Sequence, residues 1–206
     1  MLKSGEIIVA PGIGDALSAK IAAYAGIKAL TMGGYSVSAS RLGQPDVGFL
    51  SCTEMAEQLT GICNATDLPV VADGDTGYGN ALNVIRTEQM FEQAGAACIF
   101  FEDQAWPKRC GHMDGKQVIS AEEHAQKIRA AVDARLDKET MIMSRTDSRA
   151  VYTISKALYD LFGNLAQDGT TEKSLDRMIE FSQFNSMIGL DTYKEYERKY
   201  KVDRDD

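Results

Sequence analysis

Nowhere in the 206 residues is there an apolar run approaching the ~18 needed to span a bilayer, and Met1-Leu2-Lys3-Ser4 starts no secretory signal peptide. A membrane is therefore not an expected partner, and the cytoplasm is the expected compartment. Cysteine is scarce. Cys52, Cys63, Cys98 and Cys110 show neither C-x-x-C zinc spacing nor the density of a disulfide scaffold. Reduced thiols follow, and Cys52, Cys63 and Cys98, set in apolar stretches, read as packing residues. Positive charge is also short: 22 lysines and arginines against 30 aspartates and glutamates give a net charge of −8, which argues against nucleic acid as a partner. An anionic small molecule stays open, because a site can be locally positive. No low-complexity linker divides the chain, and 44% apolar with 25% charged residues suits a soluble domain with a substantial core.

What the chain does have is alternation. Ile7–Ala10 reads as a strand, followed by a helix from about Asp15 to Ala25. Ala29–Met32 is a second strand running into Gly33-Gly34. Ser51 and Glu54 form a capping box for a helix with Met55, Leu59 and Ile62 on one face. Pro69–Asp75 is the third strand, Ala81–Ala94 its helix, and Ala97–Asp103 the fourth strand. Ser120 with Glu123 caps a helix carrying Ala121, Ala125, Ile128 and Val132 on one side, and Thr140–Asp147 is the fifth strand. Beyond it, Ala150–Ile154 suggests a short sixth strand. Ser155–Ala166 and Thr171–Phe181 suggest helices, and Tyr193–Asp206 is a charged tail.

Strands alternating with helices predict a parallel α/β sheet buried on both faces. A doubly wound open sheet and a closed barrel both fit. The polar residues favour a TIM-type β/α barrel: Gly33-Gly34, Asp73-x-Asp75, Glu102-Asp103 and Arg145-x-Asp147 each fall at the C-terminal end of their own strand. Barrel enzymes assemble their sites at that one face, whereas an open sheet gathers them at a single switch point. About six of the eight β/α units are apparent, with residues 1–154 expected to form barrel units and 155–206 C-terminal helices.

Asp73 and Asp75, two apart in a strand, point to the same side, and Glu102 comes from the next strand end. Carboxylates so close repel unless a cation lies among them. An all-oxygen set suits Mg²⁺ or Mn²⁺ rather than zinc. The alternative is an acidic turn neutralised by lysine or arginine. Just beyond Glu102 stands Trp106-Pro107-Lys108-Arg109-Cys110-Gly111-His112. Two cations and a histidine around a thiol are expected to lower its pKa, letting sulfur exchange a proton near neutrality, and the loop offers positive charge to a carboxylate. A basic surface loop with an incidental cysteine is the bland alternative.

The Lys108–His112 loop resembles the signature of the isocitrate lyase/phosphoenolpyruvate mutase superfamily. So do Gly33–Ser40, Gly43-Gln44-Pro45-Asp46, Asp73–Gly79, Phe101–Gln104 and Ser144–Asp147, in the family's order and spacing. The resemblance implies an eight-unit barrel with metal on Asp75, helped by Asp73 and Glu102 directly or through water. It implies that Cys110 protonates a departing enolate carbon, while Arg145 and backbone N–H groups around Gly33, Gly34 and Tyr35 hold a substrate carboxylate. His112, Lys108, Arg109 and Gly111 would belong to a mobile loop, and Asp46 would lie near the site. Phosphonate-type mutases need no carbon acid, so the cysteine loop points to carbon–carbon cleavage of a 2-hydroxy di- or tricarboxylate. The stretch around Arg41–Gly48 is closest to methylisocitrate lyase, 2,3-dimethylmalate lyase and oxaloacetate hydrolase members. The family's C-terminal helices imply a homodimer or homotetramer, with the contact at Thr171–Tyr200.

Two departures stand out. Gly33 occupies a position where the family usually has serine, removing one hydroxyl. Between Ala150 and Val151 roughly two β/α units, on the order of 60–70 residues of the eight-unit barrel, are skipped. Such a barrel has open edges. A missing segment, a shortened form that closes differently, and a non-catalytic oligomeric relative are all consistent with that gap.

Overall fold

The computed structural model describes residue 5 and residues 7–151. Five parallel strands lie in chain order: β1 (Gly12–Ile13), β2 (Leu30–Met32), β3 (Val70–Asp73), β4 (Cys98–Glu102) and β5 (Met141–Arg145). Met32 pairs with Ala72, Asp73 with Phe100, and Glu102 with Arg145. Neighbouring strands in chain order, each followed by a crossover through helix, are the winding of a β/α barrel. That register sets Gly33-Gly34, Asp73, Glu102 and Arg145 along one rim, as their strand-end positions predict.

The helices are α1 (Ala16–Tyr24), α2 (Gly34–Leu42), α3 (Cys52–Ala65), α4 (Ala81–Gln93), α5 (Ala121–Ala134) and the single turn α6 (Ser148–Val151). Caps explain most starts. Asp15 accepts from the Ser18 N–H at 2.7 Å, Ser51 and Glu54 form the expected reciprocal box, and Ser120 accepts from the Glu123 N–H at 3.1 Å. Met55, Leu59 and Ile62 bury on the strands with Leu30, Met32, Val70, Ala72, Ile99, Val84, Phe91 and Phe101. Each large side chain so buried contributes about 1.5–3 kcal/mol.

Four expectations change. Helix α2 is absent from the sequence reading, because three serines and an opening glycine hide it. Tertiary bonds hold it: Ser40 Oγ donates to Gly14 O at 3.0 Å and Ser38 Oγ to Pro45 O at 3.1 Å, and Gly43 at φ 62° ends it. The strand expected at Ile7–Ala10 forms instead at Gly12–Ile13. Pro11 has no N–H to donate, and Ile7 and Val9 are 93% and 67% exposed. On α5 the buried residues are His124, Lys127 and Ala131. The helix is turned so that His124 Nε2 meets Ser144 Oγ at 3.0 Å and Lys127 Nζ reaches Thr76 O at 3.3 Å. Ala121, Ala125 and Ile128 line an open cavity of about 300 Å³ beside β5. The sixth strand does not begin at Ala150, since Ala150 and Val151 close α6. Its remainder, the helices expected at Ser155–Ala166 and Thr171–Phe181, and the domain boundary after residue 154 lie outside the described residues.

Among the described residues β1 and β5 are sheet edges, and apolar side chains stand bare beside both. Leu17, Ile21 and Tyr24 recur at i, i+4 and i+7 on α1 and are 69%, 60% and 96% exposed. Met141 and Met143 are exposed on β5. Such surfaces stand at both flanks of the five strands that the described residues form.

Candidate active site

The rim between β2 and β5 gathers four carboxylates. Asp73 ends β3, and its Oδ2 accepts from the Gly34 N–H at 2.8 Å. Its Oδ1 accepts from the Asp75 N–H at 3.0 Å. Asp75 has left the strand: its φ is 50°, and its carbonyl receives the Glu102 N–H at 2.8 Å. The two aspartates therefore meet through a turn around Gly74, not through strand alternation, which corrects the geometric reason for pairing them. Glu102 and Asp46 complete the group, and all four are buried. Burial, then the Asp75 charge, raises Asp73 to about 6. Burial, then the Asp73 charge, raises Glu102 to about 9.

A cation already stands among them. Lys108 Nζ lies 2.5 Å from Asp75 Oδ1 and 2.7 Å from Asp46 Oδ2, and the residue is 3% exposed. Burial alone would lower its pKa, but Asp75, Asp46, Asp73 and Glu102 together hold it well above the ordinary lysine value. Gly34 makes room. A Cβ there would stand 3.0 Å from Lys108 Nζ and 3.3 Å from oxygens of both Asp46 and Asp73.

Cys110 packs against Val47, Met113 and Tyr35, its N–H donating to Asp46 O at 3.0 Å. Its Sγ is 3.6 Å from His112 Nδ1. The expected depression of the thiol is reversed: burial pushes Cys110 up to about 11. Burial outweighs the lowering by Lys108 and Arg145, and the loop's own cations are engaged elsewhere. Lys108 is committed to aspartates, and Arg109 turns outward to Asp114 O at 3.3 Å. A thiol that keeps its proton is the form an acid requires. Tyr35, beside it, is raised to about 12 by burial and by Cys110 and Asp46.

Arg145, from the end of β5, reaches Glu102 Oε2 at 3.4 Å and Asp147 Oδ2 at 3.1 Å, and its guanidinium lies 6.0 Å from the Phe100 ring centre. Gly111 presses against it, since a Cβ there would overlap Nη2. Gly33 caps α2 and Gly34 and Tyr35 open it, so this helix N-terminus faces the rim as an anion site requires. The expected residues Gly33, Gly34, Tyr35, Asp46, Asp73, Asp75, Glu102, Lys108, Cys110, Gly111 and Arg145 thus come together. His112 is exposed at the loop surface, and Arg109 points away from the carboxylates.

Three contributors escaped the sequence reading. Tyr78 Oη donates to Asp75 Oδ2 at 2.8 Å. Gln104 brackets the loop: Nε2 donates to Arg109 O at 2.8 Å, and Oε1 accepts the Arg109 N–H at 3.0 Å. Lys116 Nζ donates to Gly111 O at 2.5 Å and Met113 O at 2.7 Å. Tyr78 and Gln104 sit in motif segments, but only the fold shows what they hold.

The donor chemistry fits a hard divalent cation. Among the described residues no three His, Cys, Asp or Glu side chains form a closed metal cage. Mg²⁺ needs none, as it usually keeps several waters and takes one or two carboxylates. Glu102 Oε1 is buried without a hydrogen bond, while Asp75 Oδ1 faces only the Lys108 ammonium, so both oxygens suit a cation.

The rim order of glycine pair, Asp-x-Asp, Glu-Asp-Gln, cysteine loop and arginine strand end agrees with a family match to phosphoenolpyruvate phosphomutase over residues 1–183. The chain belongs to this superfamily of phosphoenolpyruvate mutases and isocitrate lyases. Within it, the 2,3-dimethylmalate lyase of Eubacterium barkeri is 35% identical over 280 positions, covering 99% of this chain and 97% of that one. Those 280 positions against 206 residues leave at least 74 without a residue of this chain, close to the expected gap of two β/α units. The crystal structure of 2,3-dimethylmalate lyase superposes with a TM-score of 0.74 and 37% identity, covering 78% of this chain and 54% of that one. Oxaloacetate acetylhydrolase bound to 3,3-difluorooxalacetate gives 0.73 and 39%, covering 76% and 54%. A phosphonopyruvate hydrolase complex with oxalate and Mg²⁺ gives 0.70 and 33%, covering 77% and 54%. This superfamily member therefore has a TIM-type β/α fold and spans about half the length of its solved relatives. No helix among its described residues is long and apolar enough to cross a membrane.

Proposed function

We propose that the chain is a Mg²⁺- or Mn²⁺-dependent carbon–carbon lyase acting on a 2-hydroxy di- or tricarboxylate of the 2-methylisocitrate or 2,3-dimethylmalate type. One observation carries it. A proton-bearing thiol, Cys110, hangs on Asp46, the same residue that binds Lys108 within the carboxylate cluster. When bound at Asp75, with Asp73 and Glu102 helping directly or through water, the cation supplies positive charge to developing oxyanions. Arg145 and the α2 N-terminus at Gly33, Gly34 and Tyr35 hold the substrate carboxylates. As the 2-hydroxyl gives its proton to a carboxylate of the cluster, the bond to the neighbouring carbon breaks, its electron pair passing to that carbon and leaving an α-keto acid and an enolate-like carboxylate. The Cys110 thiol gives its proton to that carbon. Residues 155–206 are proposed to form the contact of a homodimer or homotetramer.

The names of the similar lyases support this choice of chemistry, and the oxaloacetate acetylhydrolase likeness makes oxaloacetate the competing substrate. The test offers purified chain, of verified intact mass, 2-methylisocitrate, 2,3-dimethylmalate and oxaloacetate with Mg²⁺. Pyruvate release from either of the first two supports the lyase. Oxalate from oxaloacetate alone replaces it with a hydrolase, and no turnover of any acid leaves a non-catalytic assembly, consistent with the missing positions.

A further inference from the structure

We propose that Lys108 and the divalent cation are alternative occupants of the carboxylate cluster, so that metal binding at Asp75 expels the Lys108 ammonium and loosens the Cys110 loop. The inference rests on the metal reading above and goes beyond it by naming what the metal displaces. Its basis is geometric. Lys108 Nζ is 2.5 Å from Asp75 Oδ1 and 2.7 Å from Asp46 Oδ2, and no other basic side chain shares an ion pair with Asp73, Asp75 or Asp46 among the described residues. A protonated amine has no lone pair, so it cannot become a ligand. An ammonium there occupies the space in which a cation about 2.0–2.1 Å from the same oxygen would place its other ligands. The two positive charges also repel at short range in a buried site, where screening is weak.

Displacement reaches the loop because Asp46 is a double anchor. Its carboxylate holds the Lys108 ammonium and its carbonyl holds the Cys110 N–H at 3.0 Å. Removing the first leaves the second, together with the Gln104 bracket on Arg109, so the loop shifts without being lost. Trp106 reports the event. It is the only tryptophan in the chain, stands two residues before Lys108, and its ring centre is 5.7 Å from that of Tyr78, the residue that donates to Asp75.

The experiment titrates full-length wild-type and Lys108→Met proteins with MgCl₂ and MnCl₂, reading affinity by calorimetry and loop state by Trp106 emission. Lys108→Met is expected to bind the cation at least ~10-fold more tightly, and its metal-free emission should already match that of the metal-bound wild type. Equal affinities, or weaker binding by the variant, overturn the exchange while leaving the metal site intact. Absence of binding by either protein removes the metal reading and the exchange with it. Wild-type protein supplies an independent measurement should the variant misfold: amine acylation at Lys108, followed by peptide mass spectrometry. Saturating Mg²⁺ should accelerate that labelling several-fold, and an unchanged rate would refute the displacement.

Discussion

The Tyr78 hydroxyl stands 2.8 Å from Asp75 Oδ2, and both residues hold left-handed backbones, at φ 59° and 50°. A tyrosine in that region is rare and costs on the order of 1–3 kcal/mol, strain that folds tolerate where a site is being shaped. Tyr78 thereby fixes one oxygen of Asp75 and leaves the other facing the cluster.

Tyr78→Phe removes that orienting bond while keeping the ring. Groups that orient a ligand typically account for about 10–100-fold in metal affinity, and a loss of that size in Mg²⁺ binding is expected, measured by calorimetric titration. Unchanged affinity would mean that Asp75 needs no orientation by Tyr78.

Gly111 and Arg145 are interlocked, since a Cβ on Gly111 would overlap Nη2 and stand 3.4 Å from Asp147 Oδ1. Gly111→Ala is expected to displace the guanidinium from Glu102 and lower kcat/KM about 100-fold, the scale set by misplacing a site group by ~1 Å. Thermal unfolding should change little, since the loop lies on the rim rather than in the core. Steady-state kinetics beside a melting curve separates the two effects.

Away from the site, burial and then the neighbouring Glu92 raise Glu88 to about 8 from the ordinary 4.5. A carboxyl raised in the folded state lends stability fully below pH 4.5, and that stability is lost as pH rises through 8. Glu88→Gln cannot ionise. Its stability relative to wild type should therefore climb between these limits, by up to about 1.4 kcal/mol per pH unit, in urea unfolding across that range. A constant difference would show that Glu88 ionises in the folded protein as an ordinary carboxyl does.

Much of the site was legible because strand ends announce themselves. Asp73, Glu102 and Arg145 each follow an apolar run, and the register sets them on one rim. What was not legible depends on direction. Sequence adjacency puts Lys108, Arg109 and His112 around Cys110, but Arg109 bonds outward to Asp114 and Lys108 turns to Asp46 and Asp75. Burial outweighs what charge remains near the thiol, which rises instead of falling. Of the two ways to neutralise the Asp-x-Asp turn, metal or lysine, the sequence could not choose, and the fold presents the lysine. Helix α2 stayed hidden because three serines and an opening glycine form it only where Gly14, Gln44 and Pro45 supply partners.

The most direct test compares α-keto acid release by wild-type and Cys110→Ser proteins with Mg²⁺ and either 2-methylisocitrate or 2,3-dimethylmalate, before and after EDTA. Wild type should release pyruvate, and both the substitution and chelation should abolish it. Full turnover by Cys110→Ser, or turnover that survives EDTA, would contradict a metal-dependent lyase with Cys110 as its carbon acid.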